Sequence, residues 1–349
     1  MKGKLKRFGI VLAMVIALTG SLCSCEKDKD NEVSEVQEDT IEIGMCFDTF
    51  VVERWERDRD VFVSTANELG AQVDVQNPNG QVEEQINQLE YFIDKGVDVI
   101  VVVPIEADSL TDVINKARNK GIKVISYDRL VNDVEVDLYL SFDNYACGTC
   151  MGNGLAGKIS TGDNVMMICG PQTDGNVELV AEGFKQRMDE LGLVVADETY
   201  LSEWKSELAY EYVEEHIDLI KDKKIKAIMC GNDNLASQVI YALSENMLAG
   251  DVLVIGQDGD LDACQRIVEG TQYSTVYKPV DLLANQAAIS AVDLAKGKEV
   301  VYDELIDNGA CQIPYIKLSP ENVTKENMED TIIKDNFHSN EEIYINVKE

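Results

Sequence analysis

The chain has 349 residues, 45% hydrophobic and 27% charged, with 24 Gly and 6 Pro. That excludes a collagen, a mucin-like stalk and a wholly disordered protein, and the length fills two ordinary domains with apolar residues enough for a core in each. With 31 Lys+Arg against 64 Asp+Glu the formal charge is −33, so phosphate backbones and anionic lipid headgroups are repelled, which argues against nucleic-acid binding.

Lys2, Lys4, Lys6 and Arg7 form a basic start, residues 8–18 an apolar run too short to cross a bilayer, and small or polar residues follow. This is the pattern of an export signal. Its end, Leu22-Cys23-Ser24-Cys25, resembles a bacterial lipoprotein signal, with a leucine three before and a serine one before Cys25. The resemblance implies a signal peptide at 1–24 and a lipid on Cys25; bulky Leu22 makes Cys23 the poorer fit. An ordinary secretory leader with incidental cysteines is the plainer alternative and ranks below it. Removal of four basic residues takes the formal charge from −33 to −37. Residues 26–40 are charged and lack aromatics, so 25–39 reads as a solvated tether.

From residue 40 onward, short apolar runs alternate with segments of helical period. Strands are predicted at 40–46, 71–76, 97–103, 123–127 and 138–142, then at 164–169, 194–200, 227–230, 252–257 and 272–276. Between them, Trp55, Phe62, Ala66 and Leu69 share one helical face, as do Val82, Ile86, Leu89 and Ile93. Gly70 and Gly96 stand where a glycine closes a helix. Strand, helix, strand repeated this often predicts an α/β fold of two doubly wound parallel-sheet lobes, each sheet covered on both faces.

Ligands of such sheets sit beyond the carboxyl ends of the strands, and the residues there are unusually polar. Asp48 follows the first strand, with Arg54 and Trp55 opening the next helix; Asp128 and Arg129 follow Tyr127, and Asp143 and Asn144 follow Phe142. Later come Asp174 and Asn176, Trp204, Asn232 and Asp233, Asp258, and Lys278. Any single Asp or Asn here is best read as a helix N-cap. Arg and Lys do not cap helix starts, however, and each half places one of the chain's two Trp residues at this edge. Two indoles from opposing lobes can sandwich a flat apolar face, with carboxylates and cations bonding hydroxyls around its rim. Such a site describes a pyranose sugar.

The same residues carry a family likeness. The stretch from Ile43-Gly44-Met45 through Arg54-Trp55-Glu56-Arg57-Asp58-Arg59-Asp60, then Tyr127-Asp128-Arg129, Ser141-Phe142-Asp143-Asn144, Asn232-Asp233, Gly256-Gln257-Asp258, Thr275-Val276-Tyr277-Lys278-Pro279 and Asp330-Thr331-Ile332-Ile333-Lys334-Asp335 resembles the D-xylose-binding proteins of bacterial ABC importers. The resemblance implies a type I periplasmic-binding-protein fold, its two lobes joined by a three-segment hinge. The lobes are expected at 40–144 plus 280–308 and at 145–279 plus 309–340, with 341–349 a tail. By resemblance, Arg54, Trp55, Asp128 and Arg129 contact sugar from the first lobe. Asp143, Asn144, Trp204, Asn232, Asp258 and Lys278 do so from the hinge side and the second lobe. The implied partners are a monosaccharide, D-xylose ahead of glucose or ribose, and an ABC permease with its ATPase, at the outer face of the cell membrane. The loop at 170–176 and the Lys205-Ser206 pair after Trp204 depart from the family pattern, so Asp174 and Asn176 rank lowest among the candidates.

Rival chemistry is poorly supported. Outside Cys23 and Cys25, seven cysteines lie scattered along the chain, an odd number unlike a disulfide framework. Cys147-Gly148-Thr149-Cys150 matches C-x-x-C without a second pair, and the chain has only two His, so neither a metal nor a redox centre is expected. Gly152-Asn153-Gly154-Leu155-Ala156-Gly157 matches G-x-G-x-x-G, but it begins about ten residues after its strand instead of directly behind it, and Ile159 stands where a Walker loop needs Ser or Thr. Close helix packing is the preferred account over a dinucleotide-dependent enzyme. The chain contains no G-x-S-x-G or H-E-x-x-H. The expectation is a binding protein without cofactor or catalysis; a subunit that signals to a sensor kinase or chemoreceptor would present the same site.

Overall fold

The computed structural model describes residues 40–347. The signal peptide, Cys25 and the tether expected at 25–39 lie outside the described residues. Among the described residues, no helix is long and apolar enough to cross a membrane.

The first half runs β1 (Ile41–Cys46), α1 (Arg54–Glu68), β2 (Ala71–Gln76), α2 (Val82–Lys95), β3 (Val99–Val102), α3 (Thr111–Asn119), β4 (Lys123–Tyr127) and β5 (Leu138–Phe142). Next come α4 (Asn144–Leu155), β6 (Asn164–Cys169), α5 (Gly175–Leu191), β7 (Val194–Tyr200), α6 (Ser206–Glu215), α7 (Ile217–Asp222), β8 (Ile225–Cys230), α8 (Asp233–Glu245), β9 (Leu253–Gln257), α9 (Leu261–Glu269) and β10 (Ser274–Tyr277). The chain closes with α10 (Val280–Ala295), β11 (Glu304–Asp307), β12 (Gln312–Leu318), β13 (Glu321–Val323), a π-helical turn at Glu329–Ile333, and α11 (Asn340–Ile343).

Two sheets result, in the orders β11-β12-β5-β4-β3-β1-β2 and β13-β10-β9-β8-β6-β7. All pairings are parallel except β11 with β12 and β10 with β13. Helices cover both faces, so the central strands are apolar without alternation: every residue of β3 is buried, as is every residue of β5. These are the two doubly wound lobes expected.

The chain passes between lobes three times, around Asp143, at 278–279, and at 319–320. The last crossing corrects an expected boundary, which assigned all of 309–340 to the second lobe. β12 instead runs parallel to β5 in the first sheet, with Tyr315 opposite Tyr139, their rings 4.6 Å apart, and the Tyr315 hydroxyl donating to the Phe142 carbonyl at 2.9 Å. Inside the expected tail, Ile343 is buried with Cys264, Ile267 and Val268. Ser339 and Glu342 form a reciprocal capping box that starts α11 there.

The glycine-rich segment lies within α4 and just beyond it, with no strand directly before it. Its helix presses on α5: a Cβ at Gly148 would overlap the Val180 carbonyl, and one at Gly183 the Tyr145 carbonyl. Gly148 and Gly152 of α4 serve contact with α5, Gly154 faces Ser274 and Asn322 of the second sheet, and the strand-to-glycine junction of a phosphate loop is absent from this segment. Cys147 and Cys150 on the same helix are free thiols, and burial pushes Cys147 up to about 12, far from the range of a reactive thiolate.

Candidate functional site

One cavity is lined from both lobes by residues at the carboxyl ends of strands and the first turns of the following helices. Of the ten residues expected to meet a ligand, nine line it; Asp143 does not.

In the first lobe, α1 begins with Arg54 and Trp55. Arg54 is 3% exposed. Its Nε lies 3.2 Å from Asp58 Oδ2 one helical turn on, and its Nη2 lies 2.9 Å from Asp128 Oδ2. Asp58 also accepts from the Tyr127 hydroxyl. Burial works against the charge on Arg54, but Asp128, Asp58 and Asp258 outweigh it and hold its pKa well above the ordinary value. Burial pushes the Asp58 carboxyl up despite that neighbour. Neither Asp58 nor Tyr127 lines the cavity; they fix the guanidinium that does. The Arg54 guanidinium carbon sits 4.4 Å from the centroid of the Trp55 ring, a cation–π contact on one indole face.

Asp128 follows β4 with φ +63°, a left-handed conformation that costs a non-glycine residue about 1–3 kcal/mol. Surrounding bonds hold it there. Its N–H donates to Leu140 at 2.7 Å, and its carbonyl accepts from Ser141 at 2.6 Å and Tyr139 at 3.1 Å. Burial alone would raise the Asp128 carboxyl, but Arg54, Lys278 and Arg129 together hold it below the usual carboxylate range. Next to it, Arg129 is anchored at Nη1 by Asp48 (2.7 Å) and the Pro104 carbonyl (3.1 Å).

The second lobe repeats the device. Asp258 follows β9 with φ +101° and pairs with Lys278 at 2.8 Å, while Arg54 Nη1 of the first lobe lies 3.9 Å away. Burial opposes the Lys278 charge, and Asp258 and Asp128 more than restore it. Buried Asp233, at the start of α8, shapes this turn by accepting from Gly259 N (3.0 Å) and the Thr275 hydroxyl (2.6 Å). Asn232 both lines the cavity and caps α8, its Oδ1 accepting from Leu235 N at 2.9 Å. The Trp204 indole lies on the backbone of Gly170 and Gly231, where a Cβ at Gly170 would fall inside the ring.

Asp143 is corrected to the capping role. Its carboxylate accepts from Ala146 N at 2.9 Å, starting α4, and faces Lys317 at 3.6 Å. Asn144, the next residue, turns the other way and lines the cavity. The two lowest-ranked candidates, Asp174 and Asn176, are lining residues. Gln257 was missed altogether: its Nε2 donates to the Gly231 carbonyl at 2.6 Å while its buried Oε1 has no protein partner. A buried polar residue ending a strand just before Asp258 was the available signal. Asp58 was missed as well, and a carboxylate one helical turn after Arg54 was the signal that could have found it.

Buried Trp55 Nε1 likewise has no protein partner. Two indoles, three cations and several carboxylates thus enclose a space with donors and acceptors left open toward it. Among the described residues, no group of His, Cys, Asp and Glu has the arrangement of a metal site. The geometry suits a flat, uncharged molecule rich in hydroxyls.

The description "Periplasmic binding protein domain" matches residues 43–299. The chain is 40% identical to a D-xylose-binding periplasmic protein of Escherichia coli, over 87% of this chain and 92% of that one. It is 38% identical to a protein of the same name from Haemophilus influenzae, with the same coverage of both chains, 87% and 92%. A solved ABC transporter solute-binding protein from Clostridium phytofermentans, with bound β-D-glucose, superposes with a TM-score of 0.79 at 27% identity, covering 86% of this chain and 99% of that one.

Proposed function

The chain belongs to the periplasmic binding protein family, and from that premise we propose that it is an exported solute-binding lipoprotein. It is anchored through Cys25, closes on a monosaccharide, D-xylose first, and hands it unaltered to an ABC permease with its ATPase. The observation that carries the sugar reading is the pair of indoles, Trp55 and Trp204, lining a single cavity from opposite lobes. Each offers an apolar face to the C–H side of a pyranose ring. Arg54, Asp128, Arg129, Asn144, Asn232, Asp258 and Lys278 supply rim hydrogen bonds. Two relatives named for D-xylose, alike over most of their length, support that sugar over glucose or ribose.

Binding requires no bond to be made or broken. Closure excludes water, so a hydroxyl bonded to a buried carboxylate no longer exchanges freely with solvent. A micromolar affinity corresponds to about 8 kcal/mol, within reach of several charge-assisted hydrogen bonds and two stacked faces after the cost of immobilisation. A ligand that touches both lobes favours the closed form by its greater affinity for it, and that form is what a permease would recognise. Calorimetric titration of the purified protein with D-xylose, D-glucose, D-ribose and NAD tests the proposal. Saturable heat with D-xylose is expected; heat with NAD alone, or conversion of the sugar to a product, would refute it. Globomycin treatment of expressing cells tests the anchor: accumulation of unprocessed chain is expected, and processing unaffected by the drug would remove Cys25.

A further inference from the structure

The two indoles are not held alike. Trp55 keeps a free N–H, whereas Trp204 Nε1 lies 3.3 Å from Asp174 Oδ2. That same oxygen is 2.7 Å from Arg129 Nε on the opposite lobe. The other oxygen of Asp174 accepts from Asn176 N at 3.0 Å. Both oxygens are therefore engaged by protein, and Asp174 is 4% exposed. It borders the cavity, and its carboxylate joins the indole, the guanidinium of the opposite lobe and the turn of its own loop.

Arg129 is also fixed from behind by Asp48 and the Pro104 carbonyl, so its guanidinium is rigidly mounted and meets Asp174 as an ion pair without hydrogen-bond alignment at Nε. The loop that carries Asp174 makes two more bonds to the first lobe. Asn176 Nδ2 donates to the Asp128 carbonyl at 3.0 Å, and Ala107 N donates to the Thr173 carbonyl at 3.4 Å. Arg129 and the loop at 173–176 meet only when the lobes do.

We propose that Asp174 is a positioning residue that ties the Trp204 indole to Arg129 of the opposite lobe, so that the second stacking face is set when the lobes meet. Stacking and closure are then one cooperative event: a ring under Trp204 favours the ion pair, and the ion pair holds the indole against the ring. The identity of the stacked molecule rests on the sugar reading; the link between indole and opposite lobe does not.

Rapid-mixing fluorescence on the whole mature protein, with D-xylose, D-glucose and D-ribose, compares wild type with Asp174→Asn and Asp174→Glu, circular dichroism confirming that each is folded. Asn keeps the shape and an acceptor for the indole but loses the charge facing Arg129. Release is expected to be about tenfold faster with association little changed. Glu restores the charge and is expected to recover part of the slow release. An unchanged release rate in Asp174→Asn, or a Glu variant no nearer wild type than Asn, would overturn the proposal. Should wild type respond to none of the sugars, the sugar reading alone falls, and small-angle X-ray scattering decides this one. A larger radius of gyration in Asp174→Asn than in wild type supports it, and equal radii overturn it.

Discussion

The two lobes solve the same problem with different degrees of rigidity. In the first, Arg54 is locked by Asp58, Tyr127 and Asp128, all within its own lobe, and its indole neighbour Trp55 is 3% exposed. In the second, Trp204 is only partly buried, rests on glycine backbone, and shares its acceptor with a cation from across the cleft. By the proposed Asp174 link, one half is built before a ligand arrives and the other is completed by closure. A buried charge network is costly to assemble and rigid once complete, which suits the half that must wait unchanged.

Arg54→Ala breaks this contrast most severely. It leaves Asp58 buried without its cation and Asp128 without the nearest of its three, and a loss of about 3–5 kcal/mol in urea unfolding is expected, with sugar binding abolished. A loss below 1 kcal/mol would mean that the network adds nothing to the first lobe. Trp204→Ala is expected to leave stability nearly intact while weakening D-xylose at least tenfold by calorimetry, about 1.4 kcal/mol or more. Trp55→Phe keeps an aromatic face and removes only the unpartnered N–H, so a smaller loss, about threefold to tenfold, is expected. Equal losses for the two indoles would erase the distinction between a prebuilt and a closing half.

The smallest effect concerns His338, whose Nε2 donates to the Gly259 carbonyl at 2.8 Å, beside Asp258. Burial lowers its pKa, so the unfolded chain takes up a proton more readily than the folded one. Its contribution is complete above about 6.5 and is lost as the pH falls through the lower folded value. The melting temperature of wild type is expected to drop slightly more between pH 7 and pH 5 than that of His338→Gln. Parallel curves would show that the ring titrates alike in both states.

Ten strands and both lobes were legible because parallel strands buried on two faces leave uninterrupted apolar runs, as in β3 and β5. The three strands beyond α10 were not, because they lie near or at sheet margins where charge is tolerated: β11 reads Glu-Leu-Ile-Asp, β12 carries Pro314, and β13 has three residues. In the site, charge and aromaticity past a strand end pointed to Arg54, Trp55, Arg129, Trp204 and Lys278, all of which line the cavity. They did not separate Asp143 from Asn144. Adjacent polar residues at a helix start share every sequence attribute, and only the direction in which each side chain leaves the turn assigns one to capping and the other to the cavity.

The late crossing that adds β12 to the first sheet bears on how the molecule is made. The second lobe draws β6 through β10 from one unbroken stretch, whereas the first cannot seat β12 beside β5 until Tyr315, 173 positions after its partner Phe142, has been made. Contacts so distant along the chain form slowly. Hydrogen exchange during refolding is expected to protect β8 before β5, and the reverse order would contradict this. Each lobe thus waits for a late strand, β5 for β12 and β10 for β13, and the lobe synthesised first keeps its β5 edge open to translocation and chaperone machinery until β12 has emerged.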